Sequence, residues 1–357
     1  MSRHEERRTT WATVAESLSS LDDGELQDLL QRATAHGSGL GGVSSVLDLA
    51  GTPVFVKVVP LTELEMQPVN TRSTANLFGL PAFCQYGVGS PGFSAWRELE
   101  AHERATRWVL EGEATGFPLL YHWRLLLTGT PDPVAEHADP DSTVAYWHGA
   151  EGLADRLAAI GSATTGLVLF LEHLPHQLDD WLQQRLAAGS SEARAAIEMV
   201  DTTLFDPLIT LNRRGVLHFD SHLRNLLTDG EQVLVTDFGL ATALDFDLDG
   251  QERRFFELHE AHDIAYTATQ FVNRLVTEVA RIRDPAARNA YIVEHASHHS
   301  PLGLPPAVEA IVRRYAPVAE IINAFYWRLF TEARDISFPT ELLRKAAKRA
   351  SLPRLLG

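Results

Sequence analysis

The hydrophobic period changes once along the chain, near residue 175, and that change limits the folds open to it. Before it, short apolar runs read as strands: Val43–Leu49, Val54–Val59 after a turn at Ala50–Pro53, Phe117–Thr128 and Leu167–Leu171. After it, the spacing is helical over Leu178–Leu186, Ala193–Asn212, His262–Val279 and Val308–Leu329. Strands first and helices after predict an α+β chain in two lobes, divided near His173–His176. Helical segments also interrupt the strand region. Residues 8–35 form one, with Asp22 and Asp23 as N-cap candidates and Leu26, Leu29, Leu30 and Ala33 at helical spacing. Ser94–Leu110 is another, with Trp96, Leu99 and Val109 near one face, and Leu153–Ile160 a shorter third. The expected division is an N-terminal helical extension over 1–36, a first lobe over 37–173 with insertions near 60–92 and 129–165, and a helical lobe over 174–357.

Charge narrows the partners. Thirty-one Lys and Arg against 47 Asp and Glu give a formal net charge of −16. A chain this acidic lacks the clustered cations that nucleic-acid phosphates demand, so no nucleic-acid partner is expected. The acidity suits a cationic substrate or a metal–nucleotide site, and equally serves as a plain solubilising surface. The longest frankly apolar run, Leu167–Leu171, falls far short of a bilayer's thickness, and no apolar segment follows the charged start Met1–Arg8. Cys84 is the only cysteine. A cytoplasmic protein with no membrane partner and no internal disulfide is the expectation. Cys84 lies in the apolar Leu80–Tyr86 and reads as a packed thiol, not a nucleophile.

Side chains that carry chemistry concentrate in one stretch. His218-Phe219-Asp220-Ser221-His222-Leu223-Arg224-Asn225 is followed, twelve positions after Asn225, by Asp237-Phe238-Gly239. Between them lie Leu226-Leu227, a turn at Thr228-Asp229-Gly230 and Val233-Leu234-Val235, the marks of a short hairpin bringing Asn225 towards Asp237. Oxygen ligands of this kind suit a hard cation such as magnesium, which leaves Asp220 to accept a proton or orient a hydroxyl. Upstream, Lys57 is the one cation in the apolar Val54–Val59, and a buried strand lysine requires a charge partner. Earlier still, Gly37-Ser38-Gly39-Leu40-Gly41-Gly42 contains G-x-G-x-x-G. Such glycines let backbone amides approach phosphate oxygens, or simply link the first helix to the strands. His259-Glu260-Ala261-His262 is one residue too short for a helical H-E-x-x-H zinc motif.

H-x-D-x-x-x-x-N at His218, Asp220 and Asn225, with D-F-G at Asp237, Phe238 and Gly239 across a short hairpin, resembles the catalytic core of the protein-kinase-like superfamily. That superfamily includes eukaryotic-type protein kinases, aminoglycoside phosphotransferases and choline kinases. The likeness covers about residues 37–275. It implies a bilobal protein-kinase-like fold and an ATP-dependent phosphotransferase that uses Mg2+ to move the γ-phosphoryl group to a hydroxyl. By the resemblance, Lys57 positions the phosphates, paired with a glutamate of the next helix. Glu98 is the first choice, with Glu100 and Glu103 competing. Gly39, Gly41 and Gly42 would cover the phosphates, and backbone groups around Glu172 and Leu174 would bond the adenine edge. Asn225 and Asp237 would bind Mg2+, and Asp220 would orient the acceptor hydroxyl. Asp263 would brace the catalytic loop, or serve only as a helix N-terminal carboxylate.

Three departures bear on the acceptor. Phe219 stands where protein kinases usually carry the arginine that pairs with an activation-loop phosphate. Asp263 follows Asp237 by only 26 positions, with no A-P-E between them. His222 stands where Ser/Thr kinases carry lysine and small-molecule phosphotransferases commonly carry histidine. Together they favour a small hydroxylated substrate, cationic ones included, although Asp237-Phe238-Gly239-Leu240-Ala241 itself looks more like a protein kinase. The alternatives are a Ser/Thr protein kinase, a pseudokinase scaffold and a protein adenylyltransferase on the same fold. Asp245, Asp247 and Asp249 read as a solvated acidic loop that could recruit a cation, and His295, His298 and His299 as a solvated turn. Asn70–Thr74 reads as a lid or substrate wall, or as a packed excursion.

Overall fold

Five strands, β1 (Thr34–Gly39), β2 (Gly42–Leu49), β3 (Thr52–Leu61), β4 (Leu120–Leu127) and β5 (Thr165–Glu172), form one antiparallel sheet in the order β1-β2-β3-β5-β4. The structure is a computed structural model that describes residues 2–39, 42–130, 139–297 and 303–350. The chain divides into two units, Met1–His173 with Asp237–Glu252, and Leu174–Thr236 with Arg253–Gly357. It is an α+β protein, with the five-stranded sheet in the first unit and mainly helices in the second. Among the described residues no helix is long and apolar enough to cross a membrane.

In the first unit, α1 (Arg3–Ser19) and α2 (Asp23–Arg32) precede the sheet. The single helix expected over 8–35 is two helices, because Asp22 caps the second with its side chain on the Glu25 N–H. They are not a separate extension. Trp11 Nε1 donates to Leu120 O at 2.9 Å, and Arg124 pairs with Asp23 at 2.9 Å, so both helices are fastened to β4. The glycine-rich stretch after the first helices is not simply a link. Gly37 and Gly39 belong to β1, whose register with β2 shifts between Ala35 and Gly37, a bulge that keeps the strand paired.

The insertion at 60–92 is more ordered than its prolines suggest. β3 runs on to Leu61 and is followed by α3 (Glu63–Met66). Then α4 (Ala95–Leu110) starts at the N-cap Ser94. The second insertion supplies α5 (Pro140–Tyr146) and α6 (Leu153–Ser162), and its residues 131–138 lie outside the described set. The two insertions pack on each other: Phe83 stacks on Trp147, and Arg156 of α6 pairs with Glu65 of α3 at 2.9 Å. Period two on β3 puts Lys57, Val59 and Leu61 on one face. Val59 and Leu61 pack there with Ala95, Trp96 and Leu99 of α4 and with Leu167, Leu169 and Leu171 of β5.

The second unit begins with β6 (His176–Gln177), α7 (Leu178–Ala188) and α8 (Ser190–Thr203). α9 (Asp206–Arg213) is separate from α8, although one helix is expected over Ala193–Asn212. Pro207 in its first turn has no N–H to continue a ladder and so restarts the helix. Next come β7 (Val216–Leu217), β8 (Leu226–Thr228) and β9 (Val233–Val235). β6, β8 and β9 make a small antiparallel sheet. The remaining helices are α10 (Gly250–Leu258), which starts at the end of the first unit, α11 (His262–Val279), α12 (Pro285–Ser297), α13 (Pro306–Thr331) and α14 (Thr340–Ala350).

Candidate active site

In the first unit the sheet, α4 and the Asp237–Glu252 segment bring three charges together. Lys57 Nζ donates to Glu98 Oε1 at 2.6 Å and to Asp237 Oδ1 at 2.7 Å. Lys57 and Glu98 are buried, while the Asp237 side chain is 38% exposed. The choice among the glutamates follows from helix geometry. Glu98 lies beside Trp96 and Leu99, which pack on the sheet, whereas Glu100 and Glu103 pair with Arg72 away from Lys57. Burial disfavours charge on Lys57, but the Asp237 and Glu98 carboxylates outweigh it and raise its pKa. Glu98 moves up to about 7, chiefly through burial, with the Lys57 charge opposing and the Asp237 charge adding. The lysine is thus firmly charged, and it is burial that resists ionisation of its partner Glu98.

Glu98 is aimed by the first insertion. Glu65, wholly buried, accepts the Ala95 N–H with Oε1 at 2.9 Å, which seats the N-terminus of α4. Its other oxygen takes the Thr62 N–H at 3.0 Å, the Thr62 hydroxyl at 2.7 Å and Arg156 Nη1 at 2.9 Å. Trp96 Nε1 closes the arrangement on Glu65 O at 2.9 Å. The Thr62-x-x-Glu65 capping box is the signal in the sequence that could have found it.

The glycine-rich segment is partly explained by the sheet. Gly42 has φ +119°, and a Cβ there would come within 2.0 Å of Val58 O, so close backbone approach requires glycine whatever binds nearby. Gly39 pairs with Gly42 at the end of the β1–β2 hairpin, and Gly41 lies outside the described residues. Glu172 is where the resemblance implies backbone contacts to the adenine edge. Its N–H donates to Leu119 O at 2.8 Å and its carboxylate pairs with Arg7 at 2.6 Å, because β5 remains bonded to the chain before β4 up to its last residue. The Glu172 N–H is therefore spent. Leu174 opens the second unit.

In the second unit a loop from β7 to β8 carries Asp220 and Asn225. Phe219 has φ 62°, a left-handed backbone that costs a bulky residue roughly 1–3 kcal/mol. Asp263, at the start of α11, holds that turn by accepting the His218 N–H at 2.6 Å and the Phe219 N–H at 2.8 Å. His262 Nδ1 lies 3.1 Å from the same carboxylate, and its Nε2 lies 2.8 Å from the Tyr326 hydroxyl. Burial pushes the Asp263 carboxyl up, but the hydrogen bonds from the His262 ring and the His218 N–H oppose it, and the group is held below its ordinary value.

His218 takes the Asp220 N–H on Nδ1 at 3.2 Å, so Nε2 carries the proton and donates to Thr236 O at 2.9 Å. Asn225 Nδ2 donates to Asp220 O at 3.0 Å and to Asp220 Oδ2 at 2.9 Å, which fixes the direction of the Asp220 carboxylate. The β8–β9 register sets Leu226 opposite Val235, and the Thr236 N–H reaches Asn225 O at 3.2 Å. Asp237 is the next residue in the chain and has φ 62° itself.

Other expected features are resolved differently. Asp245 pairs with Arg104 at 2.6 Å, and Asp249 Oδ1 accepts the Gln251 and Glu252 N–H groups at the start of α10, so two of the three acidic side chains are engaged within their own unit. Asn70–Thr74 is a packed excursion: Asn70 Nδ2 donates to Leu64 O, and Thr74 O accepts from Arg97 Nε at 2.7 Å. His298 and His299 lie outside the described residues. Among the described residues no cluster of three or more His, Cys, Asp or Glu side chains forms a ready metal cage. In the first unit the partly exposed Asp237 carboxylate is a hard oxygen ligand of the kind magnesium takes alongside water and phosphate, and in the second unit the Asn225 side chain carries an oxygen of the same kind. No protein-family model matches the chain, and no curated protein matches its sequence.

Proposed function

We propose that the chain is an ATP-dependent phosphotransferase of the bilobal protein-kinase-like kind, which moves the γ-phosphoryl group to a hydroxyl of a small molecule. The observation that carries the reading is the first-unit triad. A buried lysine is held charged by one carboxylate from a helix and by another that belongs to a D-F-G sequence. A lysine so prepared is a fixed cation for phosphate oxygens, and exchange of Asp237 for phosphate leaves it still oriented by Glu98. The ordered Asp220 carboxylate supports the second half of the reading. Bonded by Asn225, it is set to align an acceptor hydroxyl and take its proton. Asp237 and Asn225 would hold Mg2+, which supplies charge neutralisation of the triphosphate when bound. The phosphoryl-transfer transition state is loose, so acceleration comes from placement and electrostatics rather than covalent catalysis.

The test is ATP consumption across hydroxylated antibiotics, sugars and generic protein substrates, followed by intact-mass measurement of the products. A phosphoryl addition to a small molecule is the expected outcome. Addition to the protein substrate would make the chain a protein kinase, and an adenylyl addition would make it an adenylyltransferase. Asp220→Ala and Asp237→Ala are each expected to lower turnover by about 10³-fold or more with an unchanged circular dichroism spectrum. Wild-type turnover in either variant would remove the role given to that residue.

A further inference from the structure

Two adjacent stripes of α4 grip opposite ends of one stretch of chain. On one stripe, Glu98 reaches Lys57, which reaches Asp237, and His102 meets Phe238 edge-on at 4.9 Å. On the other, Arg97 and Arg104 are seven residues apart and therefore share a face. Arg97 pairs with Glu252 at 2.7 Å, both groups being buried, and Arg104 pairs with Asp245 at 2.6 Å. Both guanidinium groups lie over the buried Phe246 ring, at 5.9 and 5.1 Å from its centre. The first insertion adds to the grip, because Thr74 Oγ1 accepts the Asp247 N–H at 2.9 Å and the Gln85 amide donates to Leu240 O.

We infer that Arg97 and Arg104 are positioning residues. They latch residues 245–252 to α4 and so fix the rotation of the helix that presents Glu98 to Lys57. The mechanics follow from the closed circuit. α4 is joined to the segment at Asp237 through Lys57 and again at Asp245 and Glu252, so it cannot turn about its axis without breaking one set. Burial makes the inner link decisive. Burial pulls the Arg97 pKa down while Glu252, Asp249 and Asp247 oppose it, and a guanidinium left in that place without Glu252 would be a costly unpaired charge. The consequence for turnover rests on the proposed phosphotransfer, whereas the latch itself does not.

The chain offers an internal gauge. Lys57, Lys345 and Lys348 are its only lysines, and the last two are exposed on α14. Brief acylation of the full-length protein with an N-hydroxysuccinimide acetate ester, followed by peptide mass spectrometry, reads Lys57 against Lys345 and Lys348 in the same molecule. Wild-type Lys57 is expected to label about tenfold more slowly than the other two or slower still, because it is buried, ion-paired and charged. Glu252→Gln frees α4 and raises Lys57 labelling about tenfold. Arg104→Asp and Asp245→Arg each raise it about threefold, and the exchanged pair Arg104→Asp with Asp245→Arg returns it to the wild-type rate. That rescue is what a general loss of packing would not give. Should Glu252→Gln not fold, the more exposed Arg104 pair still decides.

Lys57 labelling that stays at the wild-type rate in the folded single variants, or that stays high in the exchanged pair, overturns the latch. Labelling is read without turnover, so absence of phosphotransfer in the wild-type protein would defeat the proposed function and leave the latch standing or falling on labelling alone. Where turnover is found, the loosened variants lose kcat and keep the KM of the acceptor.

Discussion

The Lys57 cluster and the Asp220 cluster are held by different forces. In the first unit, side-chain charges do the holding: an ammonium between two carboxylates, in a place where desolvation raises Glu98 to about 7. Buried ion groups of this kind add little net stability, since their attraction is spent on leaving water, but they fix which partner sits where. In the second unit, the backbone is held. Asp263 bonds two successive N–H groups and keeps Phe219 in a left-handed conformation, and His218 and Asn225 then set the Asp220 carboxylate. One site is therefore sensitive to charge and the other to geometry, and the two should fail under different perturbations.

Asp263→Asn is the largest such perturbation. An asparagine keeps one acceptor oxygen and turns an NH2 towards the second N–H, so one bond is lost and one repulsion gained. The strained Phe219 turn then lacks its clamp. A loss of about 3 kcal/mol is expected, from a buried charge-assisted bond and the donor left unpaired. Hydrogen exchange checks it by peptide. Residues 216–228 should lose protection, with peptides of β3 and α4 as the reference. Equal losses in both would show that the clusters are not held separately.

Acid gives a smaller effect, and one of opposite sign in the two regions. The His259 ring is stacked on Phe255 at 3.8 Å and lies 4.4 Å from Phe338. Burial, helped by the neighbouring His262, lowers it to about 3 against the pull of the Phe255 carbonyl and Asp263. The unfolded ring takes a proton below about 6.5 while the folded ring stays neutral, so the second unit loses stability as pH falls from 6.5 towards 3. The loss is roughly 2 kcal/mol at pH 5. Glu98 is raised from 4.5 to about 7. Between those values the folded carboxyl holds a proton that the unfolded one has lost, so its contribution weakens as pH rises from 4.5 to 7. Exchange-derived stabilities at pH 5 and 7 should therefore move in opposite directions in the two units. His259→Phe should flatten the second unit's slope and leave the first unit's unchanged.

The same contrast explains what the sequence disclosed. Lys57 stood out because one cation interrupts an apolar strand, and Asp220, Asn225 and Asp237 because their spacing matches a known order. The β8–β9 hairpin was visible from its turn residues Thr228-Asp229-Gly230. Groups that act through partners distant in the chain left no comparable mark. The bond from Arg7 to Glu172 spans 165 residues, and Arg97 with Glu252 reads in sequence as two ordinary surface charges. Period alone could not separate β1 from a linker, since Thr34–Gly39 has almost no apolar residues and is a strand only because β2 pairs with it. Nor could it place the helix break at Pro207 without weighing a missing N–H above the apolar pattern.

Thr62→Ala is the smallest expected effect and tests how the first unit's charge is seated. The Thr62 hydroxyl accepts the Glu65 N–H at 3.3 Å and donates to Glu65 Oε2 at 2.7 Å. Loss of a capping side chain costs about 1 kcal/mol. Glu65 would still be held by Arg156 and would still accept the Ala95 N–H, so α4 should keep its start and Lys57 its slow acylation. A cost well above that figure, accompanied by faster Lys57 labelling, would mean that the hydroxyl rather than the Arg156 ion pair orients Glu65. The first unit's site would then depend on an uncharged hydroxyl donor as the second unit's does on its backbone donors, and the distinction between the two regions would narrow to the Lys57 contacts themselves.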